Sequence, residues 1–297
     1  MRHSLLYLLL AICIASSCGN ADKAYVRKAV RLMDKYGLFA EGPEWEAART
    51  EALSAAPQTP DDAKDIVRKA LKVAGGKHSF IKTSENVVED ATSEWKMPTV
   101  SFEEDGIAVI TLPMFCGNRD EGVKYAMTVI SGLPDTLPGA VIDLRGNTGG
   151  NMYPMISAVH RFLPDDDILR FRTRKRTNWI MLPFVLQGTG VAAAAPLDCR
   201  LAILTDDMTA SSGEATLLTF RGLEKARSFG APTAGYASAN SPYPMSDGSQ
   251  LVLTTGCDVA RTGEVFCDDP IAPDVLTDSP MEDALAWLRS FLSTISK

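Results

Sequence analysis

The spacing of hydrophobic and polar positions changes once along the chain. Up to residue 75 the apolar residues recur every three to four positions, which is the helical period. Tyr25, Val26, Ala29, Val30, Leu32, Met33 and Tyr36 fall on one such stripe, and Gly37 and Gly42-Pro43 end it. A second helix carries Trp45, Ala48 and Leu53, and Pro57 to Pro60 reads as a linker. Thr59 is placed to cap a third helix, with Pro60 at its first position and Asp61 and Asp62 in its first turn. A fixed φ suits the first position, and negative charge suits the positive end of the helix dipole. That helix passes through Ile66, Val67, Ala70 and Leu71 and stops at Gly75-Gly76. The pattern predicts a small N-terminal helical bundle.

From Gly76 onward, short apolar runs of strand character alternate with helical patterns. Strands are expected over 106–112, 139–144, 168–173 and 199–205. Helices are expected over 120–130, 151–162, 215–223 and 281–293. Residues 226–270 read as turn-rich with short strands, among them 250–254. The alternation predicts an α/β core with helices packed on a sheet. The expected domains are 1–18 as signal peptide, 19–75 as helical domain and 76–297 as core.

The segment at the start belongs to neither pattern. Arg2 and His3 precede an apolar run, Leu5 to Ile14, that is too short to span a bilayer and reads as an export signal. Small residues directly before Cys18 resemble a bacterial lipoprotein processing site, at which that cysteine is lipidated, although Ala15 stands where leucine is usual. Plain secretion is the alternative. Either way the mature protein is expected outside the cytoplasm, meeting a membrane only through a lipid anchor. Four cysteines remain, Cys116, Cys199, Cys257 and Cys267, and their spacing has no metal pattern. Cys257 and Cys267 flank a predicted hairpin and are the pair expected to bond; unpaired buried cysteines are the alternative.

With 297 residues, 45% of them hydrophobic and 23% charged, the chain has room for one large or two modest globular domains. Its net charge of −7 argues against a nucleic-acid partner. The densest basic cluster, Arg170, Arg172, Arg174, Lys175 and Arg176, reads as a solvated strand edge.

Three stretches carry candidate chemistry. In Thr209-Ala-Ser-Ser-Gly-Glu214, Ser211 and Ser212 sit where a strand turns into a helix. The first N–H groups of a helix have no internal partner, so a serine oxygen there has donors beside it for a developing oxyanion. Serine is also the ordinary N-cap residue, so nucleophile and cap both stand. In Asp143-Leu-Arg-Gly-Asn-Thr-Gly-Gly150, a buried strand ends in a glycine-rich turn that opens a helix. Such a turn offers backbone N–H groups to an anion, but without a phosphate-loop lysine or a dinucleotide fingerprint it does not predict a nucleotide. Asp143 and Arg145 are expected to pair and brace it. In Gly75-Gly-Lys-His-Ser-Phe80, His78 lies in a loop where it can act as base to a serine or be a plain loop residue. His160 falls among apolar helical positions and reads as a core or surface histidine.

In this order the three motifs resemble the C-terminal processing serine peptidases, the family of the tail-specific proteases and the tricorn core. The similarity is greatest to the nisin-resistance-protein branch and covers roughly residues 76–275. It implies a crotonase/ClpP-like α/β peptidase core with a small N-terminal helical bundle. It implies Ser211 as nucleophile, His78 as general base, and Ser212 with Gly149 or Gly150 as oxyanion donors. Two positions depart from the family. Tyr236 stands where tail-specific proteases carry their lysine, which favours Ser–His over Ser–Lys. Cys267 stands where tricorn-like members carry the glutamate that orients the histidine, which leaves Glu264, Asp268 and Asp269 as candidate orienting acids, or a simple dyad. No space for a PDZ domain is apparent. The resemblance implies peptide or unfolded-protein C-termini as substrates, antimicrobial peptides among them, with no cofactor and no metal. A non-catalytic peptide-binding protein and a crotonase on the same architecture are the competing readings.

Overall fold

The computed structural model describes residues 21–86 and 95–295. The expected signal segment and Cys18 lie outside the described residues. In chain order the strands are β1 (Phe80–Lys82), β2 (Thr99–Phe102), β3 (Ala108–Thr111), β4 (Gly139–Asp143), β5 (Asp167–Thr173), β6 (Thr177–Met181), β7 (Arg200–Thr205), β8 (Ala226–Gly230), β9 (Ser238–Pro244), β10 (Gln250–Val259), β11 (Val265–Phe266) and β12 (Val275–Leu276). The helices are α1 (21–36), α2 (Gly42–Ser54), α3 (Pro60–Gly75), α4 (Arg119–Gly132), α5 (Met152–Ala158), α6 (Leu182–Thr189), α7 (Ser212–Phe220) and α8 (Pro280–Ile295). The chain divides into two compact units, residues 1–89 with 240–255 and residues 90–239 with 256–297.

In the first unit the helical stripes meet in one cluster. Val26, Val30 and Met33 of α1, Trp45 of α2, and Val67 and Leu71 of α3 are all buried in it. The buried Trp45 indole keeps a partner, donating to Asp34 at 3.0 Å. Thr59 caps α3 as the sequence predicts, with a reciprocal bond from its own N–H to Asp62. The helices do not close the cluster alone. Leu251 and Leu253 of β10 complete it, and β1 pairs antiparallel with Gln250–Val252.

The second unit is built on a sheet of order β12-β8-β7-β4-β3-β2, parallel except where β2 meets β3. Alternate residues of its strands serve opposite faces. Ile110, Ile142 and Ile203 pack with Val129, Met155 and Leu218 on one face. Val141, Ala202 and Leu204 pack with Leu285 and Leu288 of α8 on the other. Both faces are therefore covered, and the central strands read as unbroken apolar runs. Burying each such isoleucine contributes about 1.5–3 kcal/mol. A second, antiparallel set places β5 between β6 and the end of β10, with β11 folding back on β10. The Cys257–Cys267 disulfide closes that hairpin, and Cys116 and Cys199 are not disulfide-bonded.

Several elements differ from the sequence reading. The helix expected over 151–162 ends at Ala158 and gives way to a 3₁₀ turn, His160–Phe162. The His160 ring binds the Ser157 carbonyl at 2.7 Å, taking an acceptor that a continuing helix would use. The strand expected over 250–254 runs ten residues, because Gly256 pairs with Thr173 instead of ending it. β6 and α6 lie where no element was expected. Consequently β5 has neighbours on both sides, and the basic cluster is not a strand edge. Arg174 and Lys175 instead form the β5–β6 turn, and the Arg170 guanidinium lies 4.1 Å from the centre of the Trp179 ring.

Candidate active site

At the end of β7 the chain passes through Asp206 to Ser211 and enters α7. Ser211 has φ 53° and ψ −114°, and among the described residues no other non-glycine residue has a positive φ. A side chain held in such a region costs on the order of 1–3 kcal/mol, so surrounding bonds must impose it. They are present. The Glu214 carboxylate accepts the Ser211 N–H at 2.7 Å, and the Ser211 carbonyl accepts from Ala215 at 2.9 Å. Thr209 donates its hydroxyl to the Leu144 carbonyl at 2.9 Å.

Glu214 is itself fully buried and receives three more donors. These are the Thr233 hydroxyl at 2.5 Å, Gly235 N–H at 2.9 Å and Tyr236 N–H at 2.8 Å. Burial pushes its pKa up, and the four hydrogen bonds oppose that rise. One carboxylate thus ties the strained serine to the 233–236 loop.

The glycine turn after β4 is laced to the serine turn. Gly146 N–H donates to Asp206 at 3.0 Å, and Ala210 N–H donates to the Asn147 carbonyl at 2.9 Å. The Asn147 side chain is fully buried, giving its amide to the Leu112 carbonyl and accepting Gly149 N–H at 2.9 Å. Arg145 pairs with Asp143 at 2.6 Å, as expected. Gly149 has φ +107°, and a Cβ there would stand 2.9 Å from the Ser211 Cβ. Only glycine permits that approach.

The two candidate oxyanion glycines are not equivalent. The Gly149 amide is committed to Asn147. Phe115 bonds the residues on either side of Gly150, accepting from Asn151 and donating to Gly149, while no hydrogen bond from Gly150 N–H occurs among the described residues. The Ser212 hydroxyl donates to the Gly150 carbonyl at 2.6 Å. The two serines are therefore also distinct: Ser212 braces the glycine turn, whereas Ser211 carries the strain. Immediately after Gly150, Asn151, Tyr153 and Pro154 line a cavity of about 290 Å³ with Gly122, Gly188 and Thr189.

His78 belongs to the first unit, in the turn after α3, and is half-buried. Its carbonyl accepts from the Asn240 amide at 3.0 Å. Asn240 in turn accepts from Thr254, and Ser79 bonds both Thr254 and the Gly75 carbonyl. Gly75 leaves space for that serine, since a Cβ there would lie 2.0 Å from its Oγ. His160 is a core residue. Ala194 N–H donates to its Nε2 at 2.9 Å, so Nδ1 carries the proton given to Ser157. Burial lowers its pKa and keeps it neutral.

Of the candidate acids, Glu264 is held by Arg221 at 2.9 and 3.0 Å and by Thr262. Arg221 is the C-cap of α7, at the opposite end of the helix from Ser211. Asp268 is half-buried and Asp269 exposed in the bend after β11. Among the described residues no group of three or more His, Cys, Asp or Glu is placed to hold a metal ion. Sequence reasoning missed the anchoring roles of Glu214 and Asn147 and passed over Asp258. The signal for Asp258 was a lone acid in the apolar run Cys257 to Ala260.

Residues 106–277 match the model of peptidase family S41. A nisin-resistance protein from Lactococcus lactis subsp. lactis is 32% identical over 283 residues, covering 91% of this chain and 88% of that protein. A probable CtpA-like serine protease from Staphylococcus aureus is 25% identical over 189 residues, covering 63% of this chain and 36% of the relative. A solved lipoprotein from Streptococcus agalactiae superposes with a TM-score of 0.81 at 29% identity, covering 91% of this chain and 96% of that one. The α/β core carrying the strained serine and the glycine turn is that of a peptidase, and the chain belongs to peptidase family S41.

Proposed function

We propose that the protein is an exported serine endopeptidase that cleaves peptides near their C-termini through an acyl-enzyme. The observation that carries this reading is Ser211, strained and pressed against Gly149 at the mouth of α7. His78 takes the proton from Ser211 Oγ as that oxygen attacks the scissile carbonyl, and returns it to the leaving amine. Water then repeats the sequence on the acyl-enzyme. Ser212 N–H, at the first position of α7, and Gly150 N–H hold the oxyanion, while Gly149 gives close approach and not a donor. The 290 Å³ cavity beside Gly150 takes a substrate side chain.

The proposed layout is a signal peptide over 1–18, a helical domain over 19–75 and a peptidase core over 76–297. Lipidation at Cys18 is supported by the Streptococcus agalactiae lipoprotein. The described residues contain no helix long and apolar enough to cross a membrane. The nisin-resistance relative points to antimicrobial peptides as a substrate class.

The test is a fluorophosphonate probe on the purified mature chain, with mass mapping of the labelled peptide. An adduct on Ser211 that disappears in His78→Ala is the expected result. An adduct on Ser212, or none on protein that binds peptide, overturns the reading.

A further inference from the structure

Beside the loop that holds Glu214 lies a second buried acid. Asp258, in the second unit, is 2% exposed, and its Oδ1 has no hydrogen-bond partner. Its own N–H donates to the Ala237 carbonyl at 3.3 Å, one residue beyond Tyr236, whose N–H holds Glu214. Two acids are therefore buried at the same loop, with unequal surroundings. Glu214 has four donors; Asp258 has an oxygen with none.

We propose that Asp258 is a positioning residue for the Ser211 turn: as the neutral acid it leaves Glu214 as the single charge anchoring the nucleophile, and as a carboxylate it displaces Glu214 from Ser211, Gly235 and Tyr236. This rests on Ser211 being the nucleophile. The assignment follows from the donors. Two buried carboxyls within coulombic reach do not both ionise readily, and the one with hydrogen bonds to its charged form ionises first. Burial and the Glu214 charge both push Asp258 well above the usual aspartate range.

Among the described residues no cation offsets this. Across the ladder Asp258 faces Phe171 of β5 and Phe266 of β11. Arg170 and Arg172 of β5 pair with Val259 and Cys257, so they project from the other side of the pleat. Cys257 and Cys267 are bonded to each other. From the 233–237 loop the Thr233 hydroxyl and the Gly235 and Tyr236 amides go to Glu214, while the Thr233 and Ala234 amides go to the Ile271 and Thr209 carbonyls. From α7 the facing charge is Glu214 itself.

The direction of the pH effect is fixed. Below the ordinary aspartate pKa the folded and unfolded states both hold the proton, and stability is complete. As pH rises from there through the raised folded value, only the folded state still binds it, and stability falls. A bound proton that is required for Glu214 to stay seated also gives turnover an alkaline limit.

The experiment compares wild type with Asp258→Asn and Asp258→Val in the full mature chain. Melting temperature and peptide turnover are followed from pH 5 to 10 (about the usable range). Infrared spectra at neutral pH are recorded on the same samples. The wild type should show a protonated carboxylic acid band that Asp258→Asn lacks, and a melting temperature that declines with rising pH more steeply than the variant's up to the raised folded value. The alkaline limb of kcat should move up by about one pH unit or more in the variants, with KM unchanged. An identical limb in wild type and Asp258→Asn, or no carboxylic acid band in the wild type, overturns the proposal. If Asp258→Asn does not fold, Asp258→Val and the wild-type infrared band decide it. If no peptide or probe reacts with any form, the peptidase reading fails, while melting and infrared still report on the acid pair.

Discussion

Helix α7 has a glutamate fastened at each end, and the two are fastened by opposite means. At its start Glu214 is fully buried and bound by four uncharged donors, three of them backbone amides. At its end Glu264 is exposed and forked onto the Arg221 guanidinium. The nine-residue helix is about 14 Å long. The guanidinium pair fixes one side chain to another and shares its charge with solvent. The buried carboxylate fixes backbone, and it does so at the residue whose backbone is strained. The difference teaches where rigidity is placed: the Ser211 end of the helix is held through main-chain atoms, so changes there are expected to move Ser211, and changes at the far end are not.

The largest test of that contrast is Glu214→Gln. Glutamine keeps the shape but presents an NH₂ to a ring of donors, leaving amides unpaired in the interior. Turnover should fall about 10²-fold or more, as expected when a reacting group shifts by an ångström. Stability should drop by about 2–3 kcal/mol, read by urea unfolding, through the unsatisfied donors. Wild-type turnover in Glu214→Gln would mean that the serine turn holds its own geometry. Next in size is Gly149→Ala. The added methyl meets the Ser211 Cβ at 2.9 Å and the backbone has φ +107°, so strain falls directly on the proposed nucleophile. Probe labelling of Ser211 should slow by about 10²-fold, with stability reduced by about 1–3 kcal/mol. Ser212→Ala is milder. It removes one bond to the Gly150 carbonyl, which is solvent-reachable, and should cost about 1 kcal/mol of stability. Turnover should fall less than about tenfold, because the Ser212 N–H survives the substitution.

These effects also mark what was legible in the sequence. The Thr59 cap and the parallel strands were readable because caps and apolar runs are local signals. The Ser211 and Gly149 turns were readable as places where strand gives way to helix. The partition between Gly149 and Gly150 was not, because it depends on the Asn147 side chain, which takes the Gly149 amide two residues on while its own amide is held by the distant Leu112 carbonyl. The role of Glu214 was hidden for the same reason: its partners at Thr233, Gly235 and Tyr236 lie about twenty residues downstream. The length of β10 was lost because Gly256 reads as a stop until β5 is present to pair with it. The assignment of 240–255 to the helices' unit needs Leu251 and Leu253 in contact with α1 and α3, which no periodicity encodes.

The smallest expected effect is the sharpest control. Glu264→Gln breaks the pair with Arg221 at the far end of α7 without touching the serine turn. The guanidinium holds the Glu264 pKa below the usual carboxylate range. The folded state therefore releases the proton more readily than the unfolded one. The pair's contribution is complete above the ordinary glutamate pKa and is lost as pH falls through the lowered folded value. Both partners are partly exposed, so solvent screening limits that contribution to about 0–1 kcal/mol. Glu264→Gln should lower the melting temperature slightly at neutral pH and converge on wild type in acid. Its kcat and KM should be those of wild type. If turnover instead falls as it does for Glu214→Gln, the far end of α7 is coupled to Ser211, and the division of labour along the helix is wrong. If turnover falls only where His78 must be neutral, Glu264 is acting as the histidine's acid from a position this geometry assigns to Arg221.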